Sequence, residues 1–298
     1  MLSPTQSGAP QRWRGTTAIA GIACAGSAYL MFTMQDAVVK WLVTDYAVVQ
    51  LLFIRSVIIV ALCLVSGGTR AVREAAESPA VGTLLMRAGL MLVAWLCYFT
   101  AARSLGLAEL ISIYFVAPLI VAILAGPVLG EQVRKSTWVA LVIGFCGIIV
   151  ITNPTSPTAL GAAALTLLSA GLWAYTTVLG RRLAVSESTT AQVLTTNVLF
   201  LVVCGLALPW AWRMPEPTSL GLMLVMGLLA GAGQVLLTEG LRRTPVAVAS
   251  CLEFTALPWS LALAFLIWGD RPTITVCVGV GLVLASGALV FTRAWRPA

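Results

Sequence analysis

Histidine does not occur in this 298-residue chain, and only 10% of its residues carry a charge. Without an imidazole there is no Ser-His or Cys-His nucleophile pair and no HExxH metal helix. The seven cysteines (Cys24, Cys63, Cys97, Cys146, Cys204, Cys251 and Cys277) include no CxxC pair, so neither a disulfide framework nor a zinc site is supported. No GxxxxGK[ST] occurs, which excludes ATP hydrolysis by a P-loop. The chain is therefore not expected to be an enzyme, to hold a metal or to carry a cofactor.

Apolar residues make up 59% of the chain, and its charge lies far below the ~25% usual in soluble domains. Ten apolar stretches follow one another: Thr16–Val43, Tyr46–Ser66, Leu84–Ala102, Leu107–Leu129, Ser136–Thr152, Ala159–Gly180, Thr190–Trp212, Thr218–Leu241, Pro245–Gly269 and Pro272–Thr292. Most are long enough to cross about 30 Å of hydrocarbon at about 1.5 Å per residue. The pattern predicts an all-α membrane protein of ten transmembrane helices with short loops. Only Gly67–Gly82 has room for a small surface helix. No cleaved signal is expected, because the first apolar run continues to Val43 without a short h-region.

Basic residues collect on the cytoplasmic side of short loops. With the N-terminus inside, that side holds Arg12, Arg14, Arg70, Arg73, Arg87, Arg134, Lys135, Arg181, Arg182, Arg242, Arg243, Arg293 and Arg296. The outer side holds Lys40, Arg103, Arg213 and Arg271, and Arg55 lies mid-span. Both termini are expected to be cytoplasmic. Topology then accounts for the net charge of +7 without a nucleic-acid partner.

Residues 251–269 (CLEFTALPWSLALAFLIWG) and 112–130 (SIYFVAPLIVAILAGPVLG) share an early aromatic, a mid-span proline and a final glycine followed by an acid. Further correspondences keep chain order: Gln50 and Arg55 with Gln192 and Asn197, Ala28-Tyr29 with Ala174-Tyr175, and Gly147 and Thr152 with Gly287 and Thr292. The chain reads as a duplication, with a first five-helix repeat at 14–152, a second at 158–292, and tails at 1–13 and 293–298. Five crossings per copy force the second to start from the opposite face, so the repeats are inverted. Inverted repeats are characteristic of secondary transporters, with the solute near the midplane between the halves.

On these residues the chain resembles the drug/metabolite transporter superfamily, specifically its EamA-type ten-helix exporters. The resemblance runs from about Thr16 to Thr292. It rests on the twofold plan, on QLLFIRS with Arg55, on LRRTPVAVASCLEF, and on the glycine-acid pairs Gly130-Glu131 and Gly269-Asp270. Bacterial amino-acid exporters of the YddG type are the closest likeness. The resemblance implies export across the bacterial inner membrane by alternating access. The usual Glu-Pro dipeptide of helix 9 stands here as Glu253-Phe254, with Pro258 displaced four residues onward.

Counting about 1.5 Å per residue puts Trp173, Gln234 and Glu253 at one depth, and Asp36, Trp95 and Tyr114 in a mirror layer. A charge at the bilayer centre costs at least ~2.5–3.5 kcal/mol, so each one needs a partner or a purpose. Asp36 is expected to pair with Arg55, or with Lys40 one turn away, as structural or gating charges. Glu253 has no basic residue at its depth. Three readings stand for it: a proton carrier, an acceptor for a substrate ammonium, or a neutral carboxyl bonded to Gln234 or to a carbonyl freed by Pro258. Glu109 and Glu239 sit at span ends.

Interior aromatics complete the expected cavity: Tyr29, Trp95, Tyr98, Phe99, Tyr114, Trp173, Tyr175 and Trp259 can offer stacking faces and hydrogen-bonding tips, although packing is the commoner role. Trp41, Trp138, Trp210, Trp212, Trp268 and Trp295 mark span ends, as interfacial belts do. Pro118 and Pro258 are candidate hinges or static kinks. Gly126-x3-Gly130 and Gly227-x3-Gly231 have helix-packing spacing, which suits an internal contact or a dimer face equally. The expected function is export of a small amphipathic solute, first of all an amino acid with an aromatic or bulky apolar side chain, with a proton as a possible coupling partner and the lipid bilayer as surroundings. A broader drug or metabolite exporter is the alternative. A non-transporting scaffold or receptor is the reading from a different class.

Overall fold

The computed structural model describes residues 16–129, 157–244 and 252–294, with single positions at 139, 142, 143, 146, 147, 150 and 249. The expected fifth span (136–152), most of both tails, Gly130-Glu131 and the start of the ninth span lie outside the described residues. Along the chain come α1 (Thr16–Leu42), α2 (Val48–Ala76), α3 (Val81–Ala101), α4 (Leu107–Tyr114), α5 (Val116–Leu129), α6 (Pro157–Leu183), α7 (Thr189–Ala211), α8 (Pro217–Arg243), a 3-10 turn (Leu252–Thr255), α9 (Ala256–Trp268) and α10 (Ile274–Ala294). There is no strand among the described residues. In hydrocarbon every backbone polar group must be satisfied within its own segment, and helices do that.

Segments of six helices (α1, α2, α3, α6, α7 and α8) are long and apolar enough to cross a membrane. The fourth, ninth and tenth expected spans return as the shorter apolar stretches Glu109–Val121, Ala256–Trp268 and Ile274–Ser286. Proline explains two of the three. A proline lacks the N–H that would reach the carbonyl four residues back, and its ring crowds that carbonyl. For Pro118 the affected residue is Tyr114, where α4 stops; for Pro258 it is Phe254, inside the 3-10 turn. α4 therefore ends one turn before Pro118, and the residue one turn before Pro258 lies in a 3-10 turn rather than in α-helix.

Glycine sets two other boundaries. Gly68, at φ 56°, breaks α2 between its apolar part and a charged extension, which carries the exposed pairs Arg70–Glu74 (2.8 Å) and Arg73–Glu77 (3.3 Å). The surface helix expected at 67–82 is thus the end of α2 itself. Gly269, at φ 69°, caps α9 in the left-handed conformation that glycine adopts without steric cost, and the N–H groups of Gly269 and Asp270 bond the carbonyls of Phe265 and Ala264.

The core is made by helices from the two parts of the chain packing on each other. α1 lies along α8, α2 along α7, and α3 along α6, with α2 also touching α8 and α3 touching α7. Small residues permit the approach. A methyl group added at Gly240 would lie 3.1 Å from the Ala25 backbone nitrogen, and one at Gly233 would lie 2.6 Å from the Phe32 ring. Gly227 and Gly231 face Ile58 and Ile59 of α2, so this pair serves a contact inside the chain. Close backbone approach of this kind supplies the van der Waals contact that holds helices together in lipid, where water offers no driving force between them.

Two faces of the bundle can be told apart by their contacts. At the near face Gly21 of α1 meets Arg243 and Thr244, and Ser188 donates to Glu74 at 2.8 Å. At the far face Gln50 exchanges hydrogen bonds with the Arg213 backbone at 2.6 and 3.0 Å. There Lys40 donates to the carbonyls of Ala102 (2.7 Å) and Leu105 (2.6 Å), which sets a cation at the negative end of α3.

Candidate functional site

A cavity of about 50 Å³ lies between α1, α3, α4, α6 and the broken ninth span. Helical periodicity explains its walls, because residues three or four apart share one face. α1 contributes Tyr29, Phe32, Thr33 and Asp36; α3 contributes Ala94, Trp95 and Tyr98; α4 contributes Ile111 and Tyr114, with Phe115 at the break. Ser169 and Trp173 come from α6, and Glu253 and Ala256 from the 3-10 turn and α9. The proline-induced breaks therefore sit on the cavity, and the last residue of α4 and the second residue of the 3-10 turn both point chemistry into it.

Aromatic rings form most of the surface. Phe32 meets Trp173 edge-to-face at a centroid separation of 6.0 Å and Trp95 at 6.3 Å, while Tyr98 and Tyr114 lie 5.0 Å apart. Such geometries suit the ring quadrupoles. The small hydroxyls are already used: Thr33 donates to the Tyr29 carbonyl and Ser169 to the Ala94 carbonyl, both at 2.8 Å. What is left over is informative. The indole N–H groups of Trp95 and Trp173 and Oε2 of Glu253 are buried without hydrogen-bond partners among the described residues. Tyr29 and Glu253 interact through their side chains.

The acidic and basic groups are arranged differently from the expected ion pairs. Asp36 accepts from the Tyr98 hydroxyl at 3.0 Å and from Gln35 Nε2 at 3.2 Å, and Gln35 Oε1 in turn accepts from Arg55 Nε at 3.2 Å. Arg55 is fully buried, with its guanidinium carbon 4.6 Å from the centroid of Trp95. Gln35 thus stands between the two charges, and no Asp36–Arg55 ion pair forms. The ring face and the amide take the place of a carboxylate as neighbours of the cation. The Asp36–Lys40 alternative fails for a simple reason: Lys40 is turned outward to the carbonyls of Ala102 and Leu105, just past the end of α3.

Of the residues singled out from the sequence, Tyr29, Trp95, Tyr98, Tyr114, Trp173, Glu253 and Asp36 come together on this cavity. Four others do not line it. Phe99 is buried behind Trp95, with ring centroids 5.2 Å apart. Tyr175 is half-buried elsewhere on α6, two residues from Trp173 and so turned to another face. Trp259 is 49% exposed, on the outward side of α9. Gln234 is not a partner of Glu253: its Oε1 accepts from Asn197 Nδ2 at 2.7 Å, and it lines a separate small cavity. Pro118 is buried and Pro258 is exposed. Arg87, expected at the interface, is buried with Nε donating to the Thr176 carbonyl at 2.9 Å.

Phe32, Thr33, Gln35 and Ser169 were not foreseen. Phe32 and Thr33 were legible in principle, since they complete the i, i+3, i+4, i+7 stripe from Tyr29 to Asp36. Nothing in the sequence marked Gln35 as the bridge, or Ser169.

Comparison with known proteins agrees with this architecture. Residues 19–153, and again residues 160–292, match the EamA-like transporter family. The pseudopaline exporter CntI of Pseudomonas aeruginosa is 26% identical over 92% of this chain and 96% of its own length. Riboflavin transporters of Rhizobium johnstonii and Vibrio cholerae are 26% and 24% identical, over 72% and 74% of this chain and 70% and 75% of their own lengths. A protein of known crystal structure, 17% identical, superposes with a TM-score of 0.71 over 93% of this chain and 99% of its own. The chain belongs to the EamA-like transporter family and is a multi-pass membrane transporter rather than an enzyme.

Proposed function

We propose that the protein exports a small amphipathic zwitterion, first of all an amino acid with an aromatic or bulky apolar side chain, across the bacterial inner membrane by alternating access. One observation carries this reading: an aromatic cavity inside the bundle in which two carboxyl side chains, Asp36 and Glu253, sit beside unpartnered indole N–H donors. The carboxyls would receive the solute ammonium, the indoles its carboxylate, and the rings its apolar part. Glu253, with Oε2 free of hydrogen-bond partners among the described residues, is also the group suited to carry a proton.

The mechanism rests on two inverted halves, 14–152 and 158–292, with both termini in the cytoplasm. The twofold family match supports it, and so do the helix contacts. α1 packs on α8 as α3 packs on α6, and the pieces of the fourth span pack on α6 as those of the ninth pack on α1. Exchanging the halves maps this set of contacts onto itself. At about 50 Å³ the cavity is far smaller than the ~300 Å³ or more of typical ligand pockets, so loading requires the walls to separate. The breaks before Pro118 and Pro258 are where we expect them to hinge.

Counterflow of labelled L-phenylalanine in proteoliposomes, beside a metabolite panel, tests the reading. Saturable exchange that falls at least about tenfold in Glu253→Gln, as loss of a charged contact entails, supports it. Flux that is equal and pH-independent in both proteins removes the role of Glu253. Absence of flux for every solute favours a scaffold. The relatives named for pseudopaline and riboflavin favour the alternative of a broader metabolite exporter, in which case the panel, and not phenylalanine, gives the signal.

A further inference from the structure

Phe32 and Trp173 line two cavities. Beyond them, toward the near face, lies a second space of about 10 Å³ that has the opposite electrostatic character. Its polar wall is made by Arg87 of α3, Gln192 and Thr196 of α7, and Gln234 and Thr238 of α8, Thr238 being spent on the Gln234 carbonyl at 2.8 Å. Thr196 is spent on the Gln192 carbonyl at 2.8 Å. Gln192 is 1% exposed, yet neither its side-chain oxygen nor its nitrogen has a partner among the described residues. The Nε2 group of Gln234 is also buried and unpartnered, its oxygen being held by Asn197. Arg87 is 93% buried and uses Nε on the Thr176 carbonyl; among the described residues it forms no ion pair.

We propose that Arg87, Gln192 and Gln234 form a second solute site, which receives a carboxylate. A buried cation and several unused amide donors are costly to keep without a partner. A water molecule, for which the space has about the right size, can satisfy amides but cannot neutralise a guanidinium. A carboxylate does both, because the planar guanidinium fork matches its two oxygens while the amide nitrogens donate from the side. Gln192, whose tip has no hydrogen-bond partner among the described residues, can move aside to widen the space. The solute then passes between an acid-lined and a base-lined compartment, with the Phe32–Trp173 contact between them. This inference rests on the transport reading and deepens it: the solute must carry a carboxylate, and an amine alone does not suffice.

The test uses purified full-length protein and two probes that differ in one group, 3-phenylpropionate and the neutral 3-phenylpropanamide, titrated against tryptophan fluorescence, to which Trp173 contributes. Wild type should bind the carboxylate saturably and about tenfold or more tighter than the amide, the size of a charge-assisted contact. Gln192→Leu, which removes only the unpartnered amide, should weaken carboxylate binding severalfold and leave the amide unaffected. Arg87→Gln should abolish the preference, and Arg87→Lys should restore part of it. Equal binding of the two probes by wild type, or an unchanged preference in Gln192→Leu, overturns the site whether or not the Arg87 variants fold. Parallel counterflow separates the two claims. Flux without carboxylate preference removes this site alone, whereas the expected binding pattern with no flux removes the transport reading alone.

Discussion

The fourth and ninth spans both depart from α-helix one turn before a proline, but they deliver different chemistry. The residue near the break, Tyr114 in one and Glu253 in the other, faces the central cavity. Tyr114 meets Tyr98 edge-to-face at 5.0 Å. Glu253 approaches Tyr29 with one carboxyl oxygen left over. Pro118 is enclosed by neighbours, whereas Pro258 is exposed. A similar proline-linked device thus builds one aromatic wall and one polar wall with an exposed outer side, so the difference between the two walls comes from their side chains.

The comparison breaks most sharply at the two side chains themselves. Glu253→Gln should lower solute flux by about tenfold to a hundredfold, since it removes a charged partner, while Tyr114→Phe should cost only a fewfold, since it removes one neutral hydroxyl. Counterflow of both variants in the same vesicles checks this; equal losses would mean that the two breaks are chemically equivalent. The prolines come next. Pro118→Ala should lower thermal stability in detergent by about 1 kcal/mol or more, because a buried ring leaves a void, whereas Pro258→Ala, on an exposed surface, leaves no void and regains an N–H for the helix, so stability should be unchanged or raised. If the breaks are hinges, both variants slow flux even though their stabilities diverge. The smallest effect belongs to the end of the ninth span: Gly269→Ala should cost about 1 kcal/mol through its left-handed φ, and a melting temperature unaltered by the change would show that the cap is dispensable.

Much of this was readable in the chain. The breaks were announced by Pro118 and Pro258, and the ordered correspondence of 112–130 with 251–269 runs beside a family match that covers residues 19–153 and again 160–292. Most of the cavity residues were found because large aromatics and acids are rare inside lipid and stand out against leucine and valine. The errors share one cause. Residue number fixes depth along a helix but not azimuth, and Trp259, Tyr175 and Phe99 have suitable depths on faces turned away from the cavity. Gln234, which equal depth makes one of the alternative partners for Glu253, bonds instead to Asn197 on an adjacent helix.

The charged residues show the same division. That Arg55 needed a partner followed from its place in an apolar span; that the partners would be Gln35 and the Trp95 ring, with Asp36 one residue further on, did not. Composition and periodicity determined a helical membrane protein, its breaks and its store of buried polar groups, because these follow from the local cost of placing backbone and charge in hydrocarbon. Which of those groups meet, and which are left without partners among the described residues, was decided only by the rotation of each helix about its own axis against its neighbours, a degree of freedom that packing between distant segments fixes and local sequence does not.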